Sequence, residues 1–243
     1  MKKMTAKNVY DALIKQDKIL ELSGQIQFTL GKVDIVVRQK DVVGNIMQEW
    51  VEEWLKRHEI AYATNPNSQM PPDFFLDPND KTHNLLEIKA FNGEATPGFD
   101  IADFTMYSEE IIREPYMLDV DYLIFAYKMS DDGVVTIKNV WLKKVWEITR
   151  RMANWPLCLQ VKKDVVHKIR PGVWYAQSPR EFKMFTCLEH YISAIEETVY
   201  QNEDTRKKGS QWKNRFLESY KKFYGRTLKI PKWDEIKDSY LVK

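Results

Sequence analysis

The segment VDYLIFAYKM, residues 120–129, constrains the fold of this chain more than any other stretch. Its residues are apolar almost without interruption, which is typical of a strand that is covered on both faces. Such a strand needs a layer of other elements on each side of its sheet. Helical and β-type patterns alternate along the rest of the chain. We therefore expect an α/β fold with a mixed central β-sheet flanked by helices.

Hydrophobic periodicity gives the order of the elements around this strand. Asp100 is the expected N-cap of the third predicted helix, and Pro115 is expected to end it. The predicted helices cover residues 5–22, 42–60, 100–114 and 187–201. The predicted β-segments are a ribbon in 25–40, a hairpin in 73–91, strands at 120–129 and 134–142, and a second hairpin in 158–176.

Composition excludes several classes of protein. None of the 243 residues belongs to a run of about 18 apolar residues, and the N-terminus lacks the apolar centre of a signal peptide, so we expect no membrane partner and a cytoplasmic location. The two cysteines have neither zinc-site spacing nor the density of a disulfide framework. The net charge is only +2, but residues 140–170 and 205–232 are locally basic. Such patches matter more for nucleic-acid binding than the total charge.

The hairpin MPPDFFLDPNDKTHNLLEIKAFN, residues 70–92, places charged residues within a strand of the core. Alternate side chains of a strand share a face, so Glu87 and Lys89 point one way and the apolar Leu86, Ile88 and Ala90 point the other. The two prolines before Asp73 interrupt regular pairing and let the strands splay there. We therefore expect Asp73, Glu87 and Lys89 to converge at one opening of the sheet.

Two carboxylates and a lysine at one opening have a chemical use. Neighbouring carboxylates raise each other's pKa unless a cation neutralises them, and Mg²⁺ prefers oxygen ligands and keeps several waters. A metal held there can polarise a phosphoryl oxygen and acidify a bound water, while Lys89 orients that water. An exposed hairpin with a cross-strand ion pair would explain the same residues without any chemistry.

The pattern "PD" followed on the next strand by "ExK" resembles the signature of the PD-(D/E)XK nucleases. The stretch WLKRHEIAYATNPNSQMPPDFFL looks like the corresponding part of the EcoRV-type restriction endonucleases. The stretches LEIKAFN, PGFDIADF, YLIFAY and HKIRPGVWY look like the NgoBV and NlaIV group of type II restriction enzymes. The resemblance covers most of the chain. It implies Mg²⁺-dependent cleavage of both strands of double-stranded DNA at the palindrome GGNNCC, leaving 5′-phosphates and blunt ends. It also implies a cognate DNA methyltransferase as a functional partner.

The resemblance assigns roles to single residues. Asp73 and Glu87 match the metal-binding acids, the backbone carbonyl of Ile88 matches a further metal ligand, and Lys89 matches the water-activating lysine. EcoRV-type enzymes also use a glutamate from the preceding helix. The equivalent position here is Gly44, so the match fails at that point. Glu49 and Glu52, one or two turns later, are the candidate accessory acids.

A palindromic site implies a symmetric homodimer in which each subunit reads one half-site. We expect one endonuclease domain over 1–243, with dimerisation in 1–44, a catalytic core in 45–150 and DNA recognition in a C-terminal subdomain, 151–243. The segment NEDTRKKGSQWKNRF looks like a loop before a helix and is either a recognition segment or a solvated linker. The candidate DNA-binding residues are Asn92, Lys168, Arg170, Arg206, Lys207, Lys208, Ser210, Gln211 and Asn214.

Two other functions are compatible with the same residues. One is a DNA repair or structure-specific nuclease with the same core. The other is a DNA-binding module without catalysis. The intact set of Asp73, Glu87 and Lys89 argues against the second, because a non-catalytic domain has no chemical need for all three.

Overall fold

A computed structural model describes residues 1–67, 70–179, 181–209 and 211–242. The chain forms two compact units. The first consists of the described residues of Met1–Ser68 with Pro72–Phe99 and Asp121–Lys143. The second consists of the described residues of Gln69–Pro71 and of Lys144–Lys243 with Asp100–Val120. No helix in the described part of the chain is both long enough and apolar enough to cross a membrane.

The helices and strands alternate along the chain. The helices are α1 (Ala6–Lys15), α2 (Val42–Arg57), α3 (Phe104–Arg113), α4 (Val145–Ile148), α5 (Leu188–Gln201), α6 (Glu203–Gly209), α7 (Trp212–Tyr224) and α8 (Trp233–Ile236). The strands are β1 (Ser23–Gln25), β2 (Gln27–Leu30), β3 (Val33–Val36), β4 (Ala63–Thr64), β5 (Phe74–Phe75), β6 (Leu85–Asn92), β7 (Ala102–Asp103), β8 (Asp121–Met129), β9 (Val134–Lys144), β10 (Leu159–Lys162) and β11 (Val165–Ile169). Short 3₁₀ turns cover Ile19–Glu21, Pro115–Asp119 and Lys237–Tyr240.

The central sheet has six strands in the order β1-β9-β8-β6-β5-β4. Strand β8 is the predicted apolar strand, and it lies inside the sheet with its residues buried from Tyr122 to Tyr127. Strands β6 and β8 pair in parallel, whereas β5 pairs with β6 antiparallel. The expectation of an α/β fold with a mixed central sheet is therefore confirmed.

The core of the first unit lies on one face of strand β6. Leu86 and Ile88 are buried there in the same cluster as Leu13 of α1 and Val51 and Leu55 of α2. These helices are amphipathic, and burying their apolar stripes against the sheet supplies the main stabilisation of the layer. The opposite face of β6 is left for Glu87 and Lys89.

A two-stranded ribbon, β2–β3, follows the first helix as the sequence predicts. The turn after β8 lies against Val36, at the end of the ribbon where β3 finishes. Gly133 has a φ of +85°, and a Cβ there would come within 2.6 Å of Cγ1 of Val36. Only glycine fits that combination of backbone conformation and close approach.

The second unit contains a three-stranded sheet in the order β10-β11-β7 and the helices from α3 onward. Ile169 of β11 and Phe104 of α3 are fully buried in it. Trp212 of α7 is also buried, and its indole N–H donates to the carbonyl of Ser108 at 2.8 Å. The polar atom of this large side chain is thereby satisfied.

Two sequence predictions about helix ends and one about a loop were wrong. Helix α1 ends at Lys15 and not near residue 22. Helix α3 is capped by Asp103, which accepts from the N–H of Met106, because residues 102 and 103 pair with β11 instead of joining the helix. The predicted loop beyond residue 202 is largely helix α6, up to Gly209.

Candidate active site

Asp73 precedes strand β5 and reaches across to strand β6. Its Oδ2 accepts a hydrogen bond from the backbone N–H of Ile88 at 2.7 Å. Because β5 is only two residues long, this carboxylate takes the place of a ladder bond beyond the end of the strand. Pro71 and Pro72, which cannot donate to a ladder, stand where the pairing stops.

Glu87 and Lys89 meet on the face of β6 that points away from the helices. The Nζ of Lys89 lies 2.7 Å from Oε1 of Glu87. The Glu87 side chain is 6% exposed and that of Lys89 is 20% exposed, so this pair is largely removed from water. The second carboxylate oxygen, Oε2 of Glu87, is buried and has no hydrogen-bond partner among the described residues. A buried anionic oxygen without a partner is costly, which makes it a candidate ligand for a cation.

Asp73 is electrostatically tied to the other two residues. Its pKa is raised from 3.8 to about 7, chiefly by burial and then by the nearby charge of Glu87. The Ile88 N–H and the Lys89 ammonium act in the opposite direction without cancelling this effect. The structure thus brings together all three residues that the sequence motif singled out, and it leaves the two carboxylates short of positive charge.

The donor set fits a hard divalent cation. Mg²⁺ is commonly bound through one or two carboxylates with waters completing its octahedron, and Asp73 and Glu87 provide those carboxylates. The N–H and C=O of one strand residue face the same edge, so the Ile88 carbonyl is expected on the side where its N–H meets Asp73. Among the described residues, no group of three or more His, Cys, Asp or Glu side chains could hold a metal, so the described chain offers no metal site with three or more such ligands.

The two accessory acids on helix α2 are engaged or exposed elsewhere. Glu52 accepts from the hydroxyl of Tyr62 and pairs with Lys56, each at 2.9 Å. Glu49 is exposed. A Cβ on Gly44 would lie 3.8 Å from the carbonyl oxygen of Ala90, which places the start of α2 against the apolar face of β6. Glu87 and Lys89 are the charged groups that shift the pKa of Asp73.

The candidate DNA-binding residues fall into two groups. Near the hairpins, Oδ1 of Asn92 accepts from the N–H of Glu94 in a turn, Lys168 lies 3.7 Å from Asp103, and Arg170 lies 3.1 Å from Asp100. The other group belongs to the segment that forms α6 and the start of α7.

In the α6–α7 segment, Arg206 donates to the carbonyls of Tyr200 and Gln201, at 2.8 and 2.9 Å, and so caps the end of α5. Lys207, Gln211 and Asn214 are exposed. Lys208 belongs to helix α6. Ser210 lies outside the described residues.

Comparisons with known proteins agree with one another. A family model described as NgoBV restriction endonuclease matches residues 3–240. The type II restriction enzyme NlaIV of Neisseria lactamica is 60% identical over 243 residues, which is 100% of both chains. The type II restriction enzyme NgoBV of Neisseria gonorrhoeae is 50% identical over 182 residues, 75% of this chain and 98% of that one. A solved structure of NlaIV restriction endonuclease superposes with a TM-score of 0.96 at 60% identity, covering 99% of this chain and 98% of the other.

Proposed function

The chain belongs to the NgoBV restriction endonuclease family, and from that membership we propose that it hydrolyses both strands of double-stranded DNA at a short palindrome, using Mg²⁺. The observation that carries the proposal is that Asp73, Glu87 and Lys89 lie together and that Oε2 of Glu87 is buried without a hydrogen-bond partner among the described residues. We propose further that the palindrome is GGNNCC and that cleavage leaves 5′-phosphates and blunt ends. A cognate DNA methyltransferase and a cytoplasmic location would accompany an enzyme that cuts DNA inside the cell.

The three residues divide the reaction between them. Asp73 and Glu87 would hold the metal through their carboxylates, and the Ile88 carbonyl would be a further ligand. A bound Mg²⁺ supplies the positive charge that polarises a phosphoryl oxygen and acidifies a bound water. Lys89 is fixed by its 2.7 Å contact with Glu87, so its ammonium can orient the attacking water and stabilise the negative charge that develops on the phosphate. Burial strengthens each of these interactions.

Lys89→Ala tests this division of roles. We expect it to lower the rate of DNA cleavage by at least about 100-fold, because both the orientation of the water and the stabilisation of charge are lost. Lys128→Ala is a matched control, since Lys128 also lies 2.7 Å from a glutamate, Glu94, but on the surface. Cleavage by the Lys89 variant at the wild-type rate would overturn the mechanism.

The pattern of cleavage separates restriction from the alternative functions. Plasmid DNA incubated with the enzyme and Mg²⁺ should give discrete bands, and run-off sequencing of the ends should place the cut within GGNNCC. A smear, or nicking at unusual DNA structures, would favour a repair or structure-specific nuclease. Binding of duplex DNA without cleavage would favour a non-catalytic module.

The proposed homodimer is supported by the ribbon β2–β3. Phe28 pairs with Ile35 and Leu30 with Val33, so the four share one face of the ribbon. Each is at least half exposed, from 50% for Ile35 to 71% for Leu30. A two-stranded ribbon is marginally stable alone in water, and a contiguous exposed apolar face marks an interaction site. We propose that a second copy of the chain covers this face.

A further inference from the structure

The three-stranded sheet of the second unit has one apolar face and one polar face. Leu159, Ile169 and Ala102 stand opposite one another across its strands, and all three are buried. The neighbouring row across the same strands consists of Gln160, Lys168 and Asp103. Because directly opposed residues share a face and the next row takes the other, these three polar side chains project together from the side opposite the core.

One ion pair lies on this polar face, and a second joins the residues just after β11 and just before β7. Lys168 lies 3.7 Å from Asp103, and the Nε of Arg170 lies 3.1 Å from Asp100. All four side chains are partly exposed. Ion pairs of this kind contribute little to stability, so folding alone gives weak reason for two of them here. They do hold two long cationic side chains in defined positions.

The balance of charges indicates the ligand. A surface for phosphate alone would carry lysine and arginine without acids, because carboxylates repel the DNA backbone. This face carries Gln160, Lys168 and Asp103, and the Arg170–Asp100 pair adds a second base and a second acid at the ends of its strands. In the major groove guanine offers the acceptors O6 and N7, and cytosine offers an N4 donor. Arginine and lysine suit the first, and aspartate suits the second.

We propose, on the basis of the function inferred above, that this polar face reads the G·C base pairs of the recognition site through the major groove. Lys168 and Arg170 donate to guanine, and Asp103 and Asp100 accept from cytosine. Gln160 lies beside Lys168 and completes the row. A two-stranded ribbon such as β10–β11 is of a size that the major groove admits. Lys162 and Lys163, exposed at its turn, suit phosphate contacts.

The rival segment, α6 with the start of α7, is less suited to base reading. Arg206 already donates to two backbone carbonyls, which leaves fewer of its donors for DNA. Lys213, at the start of α7, is also engaged, because it pairs with Glu196 of α5 at 3.0 Å.

Lys168→Met tests the proposal by discrimination as well as by activity. Cleavage rates are measured on the site that the wild-type enzyme cuts and on duplexes in which each base pair is replaced in turn. We expect the cleavage rate of the variant on the cognate site to fall about 10- to 100-fold. On duplexes altered at the one symmetric position that Lys168 reads, the cleavage rate should fall much less. A uniform loss on every duplex would mean a phosphate or structural role and would overturn the proposal. Cleavage rates equal to those of the wild type on every duplex would overturn it as well.

Two further variants keep the test decisive. Asp103→Asn keeps an N-cap for α3, since Asn caps as well as Asp, but replaces the carboxylate that would accept from cytosine. It should also relax discrimination at a G·C position, with thermal melting close to that of the wild type. Lys15→Met is the matched control, because Lys15 also pairs with an aspartate, Asp11, on the first unit, and it should leave discrimination unchanged. If the wild-type enzyme makes no discrete cuts, the proposed function fails; relaxed or unchanged discrimination in variants that still cut bears on the sheet alone.

Discussion

At the residue scale, the carboxylate of Asp73 is destabilised by burial and by the charge of Glu87 when no metal is bound. The pKa of this carboxyl is about 7 in the folded chain, compared with the ordinary aspartate value of 3.8. The folded chain therefore retains a proton that the unfolded chain releases between these two values. Stability is lost as the pH rises from about 4 to about 7, and the penalty is fully present above pH 7. At about 1.4 kcal/mol per pKa unit, it is on the order of a few kcal/mol.

Asp73→Asn should remove that penalty. The amide oxygen of the introduced side chain can still accept from the Ile88 N–H, while no charge is buried. In the presence of a chelator, thermal melting should show the wild type losing several degrees between pH 5 and pH 8 relative to the variant. Asp77→Asn is the control, because the pKa of Asp77 is lowered by Lys3 and contributes no change in this pH window. Parallel melting curves for the wild type and Asp73→Asn would contradict the expectation.

Much of the candidate site could be predicted from single residues, and part of it could not. The two-residue period of a strand places Glu87 and Lys89 on one face whatever the rest of the fold. The contact between Asp73 and Ile88 depends on the register of β5 with β6, which no local pattern determines. The orphaned oxygen of Glu87 depends on burial by the whole sheet. The pairing of Asp100 with Arg170 was hidden because Asp100 was interpreted as a helix N-cap.

At the scale of elements, strong hydrophobic periodicity predicted helices and strands correctly. The wrongly predicted elements are explained by contacts outside their own sequence pattern. Helix α2 and strands β6 and β8 follow their apolar patterns closely. Helix α6 has no apolar periodicity, since its sequence is EDTRKKG. It is anchored to the end of α5 instead, where Thr205 donates to the Val199 carbonyl at 2.9 Å and Arg206 caps the last turn. Such contacts join side chains to the carbonyls of the preceding helix and produce no hydrophobic periodicity in a window of sequence.

The ribbon β2–β3 yields a prediction about assembly. Replacing Leu30 and Val33 together by Asp puts charge on its apolar face, and we expect the protein to shift from dimer to monomer in analytical ultracentrifugation. Substituting Thr29 by Lys puts a charge on the opposite face, across from Asp34, and serves as the control. A dimer that persists with both apolar residues replaced would show that the ribbon is not the interface.

At the scale of the whole molecule, the two compact units carry different chemistry. The first holds Asp73, Glu87 and Lys89, and the second holds the polar sheet face with Lys168 and Asp103. The mixed sheet and its flanking helices could be predicted because the order of elements was clear. The division into these units could not, because each is assembled from separated parts of the chain. The expected subdivision at residues 44 and 150 stays a prediction.

Metal binding should be visible in the unfolding of the whole chain. Because Mg²⁺ is expected to bind the folded site and not the unfolded chain, it should raise the melting temperature in proportion to the logarithm of its concentration once the site is saturated. Glu87→Gln should abolish most of this increase, since the buried oxygen then carries no charge. Matched ionic strength with NaCl separates binding from salt effects. An equal rise in Glu87→Gln would place the metal elsewhere.

The glycine turn at residue 133 has a mechanical consequence. It wedges the hairpin after β8 against Val36 at the base of the ribbon, with no room for a side chain between them. Strand β8 is hydrogen-bonded in parallel to β6 along the stretch that carries Glu87 and Lys89. We therefore expect a force applied to the ribbon to be transmitted through this close contact into β8, the strand that pairs with the one carrying Glu87 and Lys89.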